Sequence, residues 1–131
     1  MSIAATQAAA HLQQQADSIS PYEVIALLLD GALERLQQAK TSFCAGNLHE
    51  AQELVNRTIA IVNGLRASLD MEKGGEVAVN LNAVYEYVAA RLQEDNVDDP
   101  MAVLDEASRL LAEVKQGWDG IADTGPVRAV G

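Results

Sequence analysis

Ser68–Val88, SLDMEKGGEVAVNLNAVYEYV, decides how the chain is read. Gly74 and Gly75 follow Lys73 and precede Glu76, with apolar residues at helical spacing on either side. Such a pair of glycines is either a phosphate-cradling loop or a hinge between helices. A Walker-type loop needs G-x-x-x-x-G-K-[ST] after a buried strand. Here EKGGE follows a helical pattern, lacks the hydroxyl, and puts Glu76 where an anion would sit. The segment therefore reads as an inter-helix hinge. Gly74 and Gly75 take positive φ to end one helix and reverse the chain, and Glu76 meets the N-terminal dipole of the next.

Working upstream, Ala51, Val55, Thr58, Val62, Leu65 and Leu69 recur at spacings of four and three, flanked by Leu54 and Ile61. That helix opens after AGN, where Gly46 lies just past the preceding helix, which ends near Ala45. Asn47 is the next N-cap, with Glu50 three residues on. So short a connection makes the two helices antiparallel. The first helix opens at SISPYEV, with Ser20 as N-cap, Pro21 in the first turn and Glu23 completing a capping box. Its seam is Ile25, Leu29, Ala32, Leu36, Ala39 and Phe43. Asp30-Gly31 would signal a hairpin elsewhere, but the period runs unbroken through it, so Gly31 reads as a packing glycine.

Downstream, Val77, Leu81, Val84 and Val88 share one face, with Tyr85 and Leu92 beside them. A fourth helix opens at DDPM, with Asp99 as cap and Pro100 in the first turn, and runs through Leu104, Ala107, Leu111, Val114, Trp118 and Ile121. The fold is all-α, an antiparallel up-down-up-down four-helix bundle over residues 20–121. Residues 1–19, rich in Ala and Gln with isolated Ile3, Leu12 and Ile19, form a flexible or loosely docked N-terminal segment. Residues 122–131 form a flexible C-terminal tail without period.

Composition narrows the function. The 131 residues suit one domain with its own core. Nine basic residues against 19 acidic give a net charge of −10, a field that repels phosphate backbones and anionic headgroups, so nucleic acid and membrane surfaces are poor partners. The sequence has no signal peptide and no apolar run of about 20 residues to span a bilayer, and its lone Cys44 cannot form an internal disulfide. The expected location is the cytoplasm. Aromatic content is 4%, so the core is built from Leu, Val, Ile and Ala, which favours helices.

No catalytic or metal constellation emerges, and no cofactor is implied. His11 and His49 are far apart, and no Glu-x-x-His pair exists for a di-iron bundle. His49, in the first turn of its helix, reads as an exposed helical position. Cys44 has only Lys40 within a turn to lower its pKa and reads as a small packing residue. Glu50, Glu53, Glu72, Glu76, Asp98 and Asp99 gather at connections and first turns, where capping and solvation account for them.

What remains is apolar content beyond one seam. Leu27, Leu28 and Leu33 widen the stripe of the first helix, and Ile59 lies almost opposite Leu54 and Ile61 on the second. Such residues either pack at helix flanks or line grooves for a partner.

The runs LLLDGALERLQQAK, AGNLHEAQELVNRTIAIVNGLRASLDMEKGGEVAVNLNAVYEYVAARL and DPMAVLDEASRLLAEVKQGW resemble the flagellar secretion chaperone FliS family, from Pro21 to near Ile121. The signature is Asp-Gly-Ala in the first helix, Ser-Leu-Asp before the double glycine, Asn80-Leu81 with Tyr85 and Tyr87, and the late Trp118. Leu29 departs from it, standing where the family commonly has Tyr. The resemblance implies a bacterial cytoplasmic bundle, not an enzyme, that binds the disordered C-terminal segment of flagellin. It further implies that binding prevents premature polymerisation and assists delivery to an export-gate component of the flagellar type III apparatus.

On that reading Leu27, Leu28, Leu33, Ile59 and Tyr87 are the candidate flagellin contacts. The N-terminal segment either covers part of an empty groove as a weak internal competitor or is a frayed terminus without a role. Two other functions compete with this one. A structural homo-oligomerising bundle would self-associate, more than the weak association open to a chaperone, and would ignore flagellin. An enzyme using a bundle pocket would turn over without binding flagellin stoichiometrically.

Overall fold

The computed structural model describes residues 21–94 and 98–124, which form four helices: α1 (Pro21–Cys44), α2 (Leu48–Ala67), α3 (Met71–Gln93) and α4 (Pro100–Thr124). The expectations for Ser20, for segment 1–19, for residues 125–131 and for the side chain of Ile121 lie outside the described residues. α4 itself runs to Thr124, beyond the point where the apolar period ends.

The seams of α1 and α2 lie where the spacing puts them. Leu29, Ala32, Leu36 and Ala39 are buried from α1, and Ala51, Val55, Thr58, Val62 and Leu65 from α2. Thr58 is the polar member, and its Oγ1 donates to the Leu54 carbonyl at 2.9 Å, so no donor is stranded in the core. Leu29 fills its position in the core completely. α1 ends in a Schellman turn: Gly46, at φ 85°, donates to Phe43 O at 3.0 Å, and Asn47 N donates to Ser42 O at 2.9 Å.

The expected Asn47–Glu50 capping box does not form. The Asn47 side chain makes no cap bond, and Glu50 instead accepts the Ser42 hydroxyl at 2.5 Å. In so short a connection Asn47 already closes the turn from α1, and the nearest donor for Glu50 is on that helix.

The double glycine lies one turn inside α3 rather than ahead of it, and of the pair only Gly75 takes the expected positive φ. α2 ends at Ala67, and beyond Ser68 and Leu69 the Asp70 carboxylate accepts from Glu72 N at 3.1 Å and Lys73 N at 2.9 Å and caps the first turn of α3. Gly75, at φ 53° and ψ −130°, is a non-helical kink that joins this first turn to the longer helical piece of α3, while Gly74 still donates helically to Asp70 O at 2.7 Å. Beyond the kink the buried set is Ala78, Tyr85, Val88, Ala89 and Leu92, with Leu81 and Val84 half-buried.

Val77, expected on the core face, is 56% exposed. Two apolar phases nest in this stretch, one through Val77 and Val84 and one through Ala78 and Tyr85, and they share Leu81 and Val88. The phase that buries the large Tyr85 ring wins. Asp99 caps α4 through Ala102 N at 3.1 Å, and Val103 joins Leu104, Ala107 and Leu111 in the core.

Around the bundle α1 packs on α2 and α4, and α3 closes the ring by packing on the same two helices. Contacts between opposite helix ends establish the antiparallel order. Lys40 at the end of α1 pairs with Asp105 near the start of α4 at 3.1 Å. At the other end, Tyr22 and Trp118 stack with ring centroids 5.1 Å apart and planes nearly parallel. The Tyr22 hydroxyl donates to Trp118 O at 2.6 Å, and Trp118 Nε1 donates to Tyr22 O at 2.9 Å. Each polar handle is thus satisfied by the other residue's backbone.

Candidate functional site

Core formation leaves a specific set of apolar residues unused. Leu27 projects from α1 at 61% exposure, on the side away from the seam. Leu28 and Leu33 flank the α1 seam, and Ile59 flanks that of α2; all three are half-buried and packed against the core. Their flank position thus accounts for part of their apolar character and leaves the remainder facing outward.

Tyr87 on α3 is 45% exposed, and its hydroxyl donates to Glu106 Oε2 on α4 at 2.7 Å. Glu106 also accepts from Arg91 Nε at 3.0 Å, while Arg91 Nη1 reaches Glu94 at 2.7 Å. The hydrogen bond from Tyr87, then that from Arg91, hold the Glu106 carboxyl below the usual range, and the same bond to Glu106 raises the Tyr87 phenol. The network fixes the tyrosine edge and leaves its ring available as a rigid contact.

These five residues do not form one patch. They are distributed over α1, α2 and α3, so a single ligand touching them all would have to wrap the bundle. Val24, Met71, Val77 and Val79 are also exposed. Val24 and Val79 were detectable as apolar residues off their seams. Met71 and Val77 were not, because their exposure follows from the position of the kink.

Reactive chemistry is not assembled here. A cavity of about 380 Å³ at the end of the bundle is lined mainly by apolar side chains such as Phe43, Leu48, Val55 and Leu104, and Arg91 and Glu94 on its wall are paired with each other. Among the described residues no cluster of His, Cys, Asp or Glu could hold a metal ion. His49 is exposed and lies 3.9 Å from Glu53, and Cys44 is an exposed free thiol where the sequence suggested a packing residue. No described helix is long and apolar enough to cross a membrane. Rigid helices carrying outward apolar side chains are suited to holding a polypeptide.

Comparison with known proteins agrees. The family model described as "Flagellar protein FliS" matches residues 4–125. The flagellar secretion chaperone FliSB of Pseudomonas aeruginosa is 45% identical over 111 residues, covering 85% of this chain and 88% of the relative. The flagellar secretion chaperone FliS of Salmonella typhimurium is 36% identical over 106 residues (80% and 78%), and that of Vibrio cholerae 31% identical over 110 (84% and 81%). These relatives are chaperones rather than enzymes, and with the four-helix fold and its unspent apolar faces they establish that the chain belongs to the FliS family of flagellar secretion chaperones.

Proposed function

We propose that this chain binds the disordered C-terminal segment of flagellin in the bacterial cytoplasm, keeps it from polymerising prematurely, and hands it to a component of the flagellar export gate. The observation that carries the reading is Leu27, a large aliphatic side chain held out on a rigid helix whose own seam is complete without it. A tail that is disordered alone pays an ordering cost on binding, and laying apolar faces along the chaperone helices offsets it. The faces so covered are withheld from other flagellins, and no covalent step is needed.

Calorimetry with a flagellin C-terminal peptide tests this directly. Leu27→Asp is expected to weaken binding at least tenfold, about 1.4 kcal/mol, while thermal unfolding stays unchanged. Equal affinity would remove Leu27 from the interface, and no binding by the unaltered chain would overturn the reading. Ile59 is a less direct probe, because its partial burial against the core makes Ile59→Asp report stability together with binding.

A further inference from the structure

The outer seam between α1 and α2 has a register that two contacts define. Ser42 on α1 meets Glu50 on α2 through a 2.5 Å hydrogen bond, and a Cβ placed on Gly31 would lie 3.9 Å from Ile61 Cδ1. Moving four residues along α1 from Gly31 and four back along α2 from Ile61 sets Arg35 opposite Arg57. The same register sets Leu28 opposite Gly64, where an added Cβ would meet nothing within 4 Å.

Arg35 and Arg57, like Lys73 on α3, are without ion pairs among the described residues, although acids outnumber bases by 19 to 9 along the chain. Lys40, Arg66, Arg91, Arg109 and Lys115 all have carboxylate partners. The acids closest along the two helices are engaged elsewhere. Glu34 accepts from Gln38, Glu53 lies against His49, Glu50 takes the Ser42 hydroxyl, and Asp30 pairs with Lys115. The register thus brings two cationic positions onto one seam, and around them lie apolar Leu28, Leu54 and Ile61 with small Gly31 and Gly64. An apolar-faced helix with a carboxylate at its middle complements that surface in both shape and charge.

We propose that Arg35 and Arg57 together clamp an acidic side chain of the flagellin segment seated across the outer α1–α2 seam, an assignment that rests on the flagellin reading above. Planar guanidinium forks bind a carboxylate through paired N–H···O bonds, so the clamp would set register and partner preference as well as affinity.

The test measures binding of the flagellin C-terminal peptide, and of the same peptide with its Asp and Glu residues replaced by Asn and Gln, to the full chain and to Arg35→Gln, Arg57→Gln and the double variant. The clamp predicts at least tenfold weaker binding of the acidic peptide by the double variant, with no further loss when the neutralised peptide is used. It also predicts that each single variant unfolds at the temperature of the full chain, since neither arginine holds an ion-pair partner among the described residues. Unchanged affinity of the double variant for the acidic peptide would overturn the clamp, as would an equal loss on both peptides, which would show arginine acting through packing alone. If the unaltered chain bound neither peptide, the flagellin reading itself would fall, and the clamp with it.

Discussion

Tyr85→Ala is expected to destabilise the protein by about 3–5 kcal/mol, the range for truncating a large aromatic in a packed core. Tyr85 is 1% exposed and is the largest fully buried side chain among the described residues. Domain stabilities are typically about 5–15 kcal/mol, so the loss would lower the urea midpoint sharply. A midpoint close to that of the unaltered chain would show that the ring is not central to the core.

The same burial makes stability depend on alkaline pH. Desolvation pushes the Tyr85 phenol from 10.0 up to about 12. Because the folded value is the higher, the native state holds the proton longer than the unfolded chain. The contribution is therefore full below pH 10 and is lost as pH rises from about 10 to about 12. Two units at about 1.4 kcal/mol each correspond to roughly 2–3 kcal/mol. Urea midpoints across that window, compared with those of Tyr85→Phe, isolate the residue. The phenylalanine variant should fall less steeply, and parallel curves would refute the assignment.

The two glycines of α3 give the second large effect, by different routes. Gly75→Ala would place a Cβ on backbone at φ 53° and ψ −130°, a region reserved almost wholly for glycine, at a cost of about 1–3 kcal/mol. At Gly74 the obstacle is space: an added Cβ would lie 2.6 Å from the Cβ of Ala78, which is 3% exposed and sits on the helix backbone, where it cannot withdraw. That overpacking also costs about 1–3 kcal/mol. Thermal melting of both variants measures the effects, and Ala78→Gly distinguishes them. It should restore part of the loss in Gly74→Ala and none in Gly75→Ala. Unaltered melting of both single variants would remove the kink as a structural constraint.

One-dimensional spacing was sufficient for the bundle itself. The seams of α1 and α2, the Gly46 turn, the Asp99 cap and the short connections follow from a single helix's period and from the φ preferences of glycine, which need no neighbour to act. The chaperone identity was legible through the residue signature around Asp30-Gly31, Ser68–Asp70, Asn80-Leu81 and Trp118. Of the candidate contacts, the apolar surplus at Leu27 could be counted from the sequence, but how far each flank residue is covered could not.

What spacing left undecided concerns relations between helices. Val77 and Ala78 head two equally regular phases of α3, about 100° apart, and the choice between them is made by how the Tyr85 ring closes on the other helices. α3 starts at Asp70, ahead of the glycines, because that carboxylate is in reach of two free N–H groups, and the positive φ expected of both glycines falls on Gly75 alone. Arg35 and Arg57 fall opposite each other in register only because Ser42 meets Glu50 and Ile61 lies over Gly31. Helical periodicity determines which side of each helix is apolar, whereas the register of one helix against another is a property of the pair, and packing in three dimensions decided it.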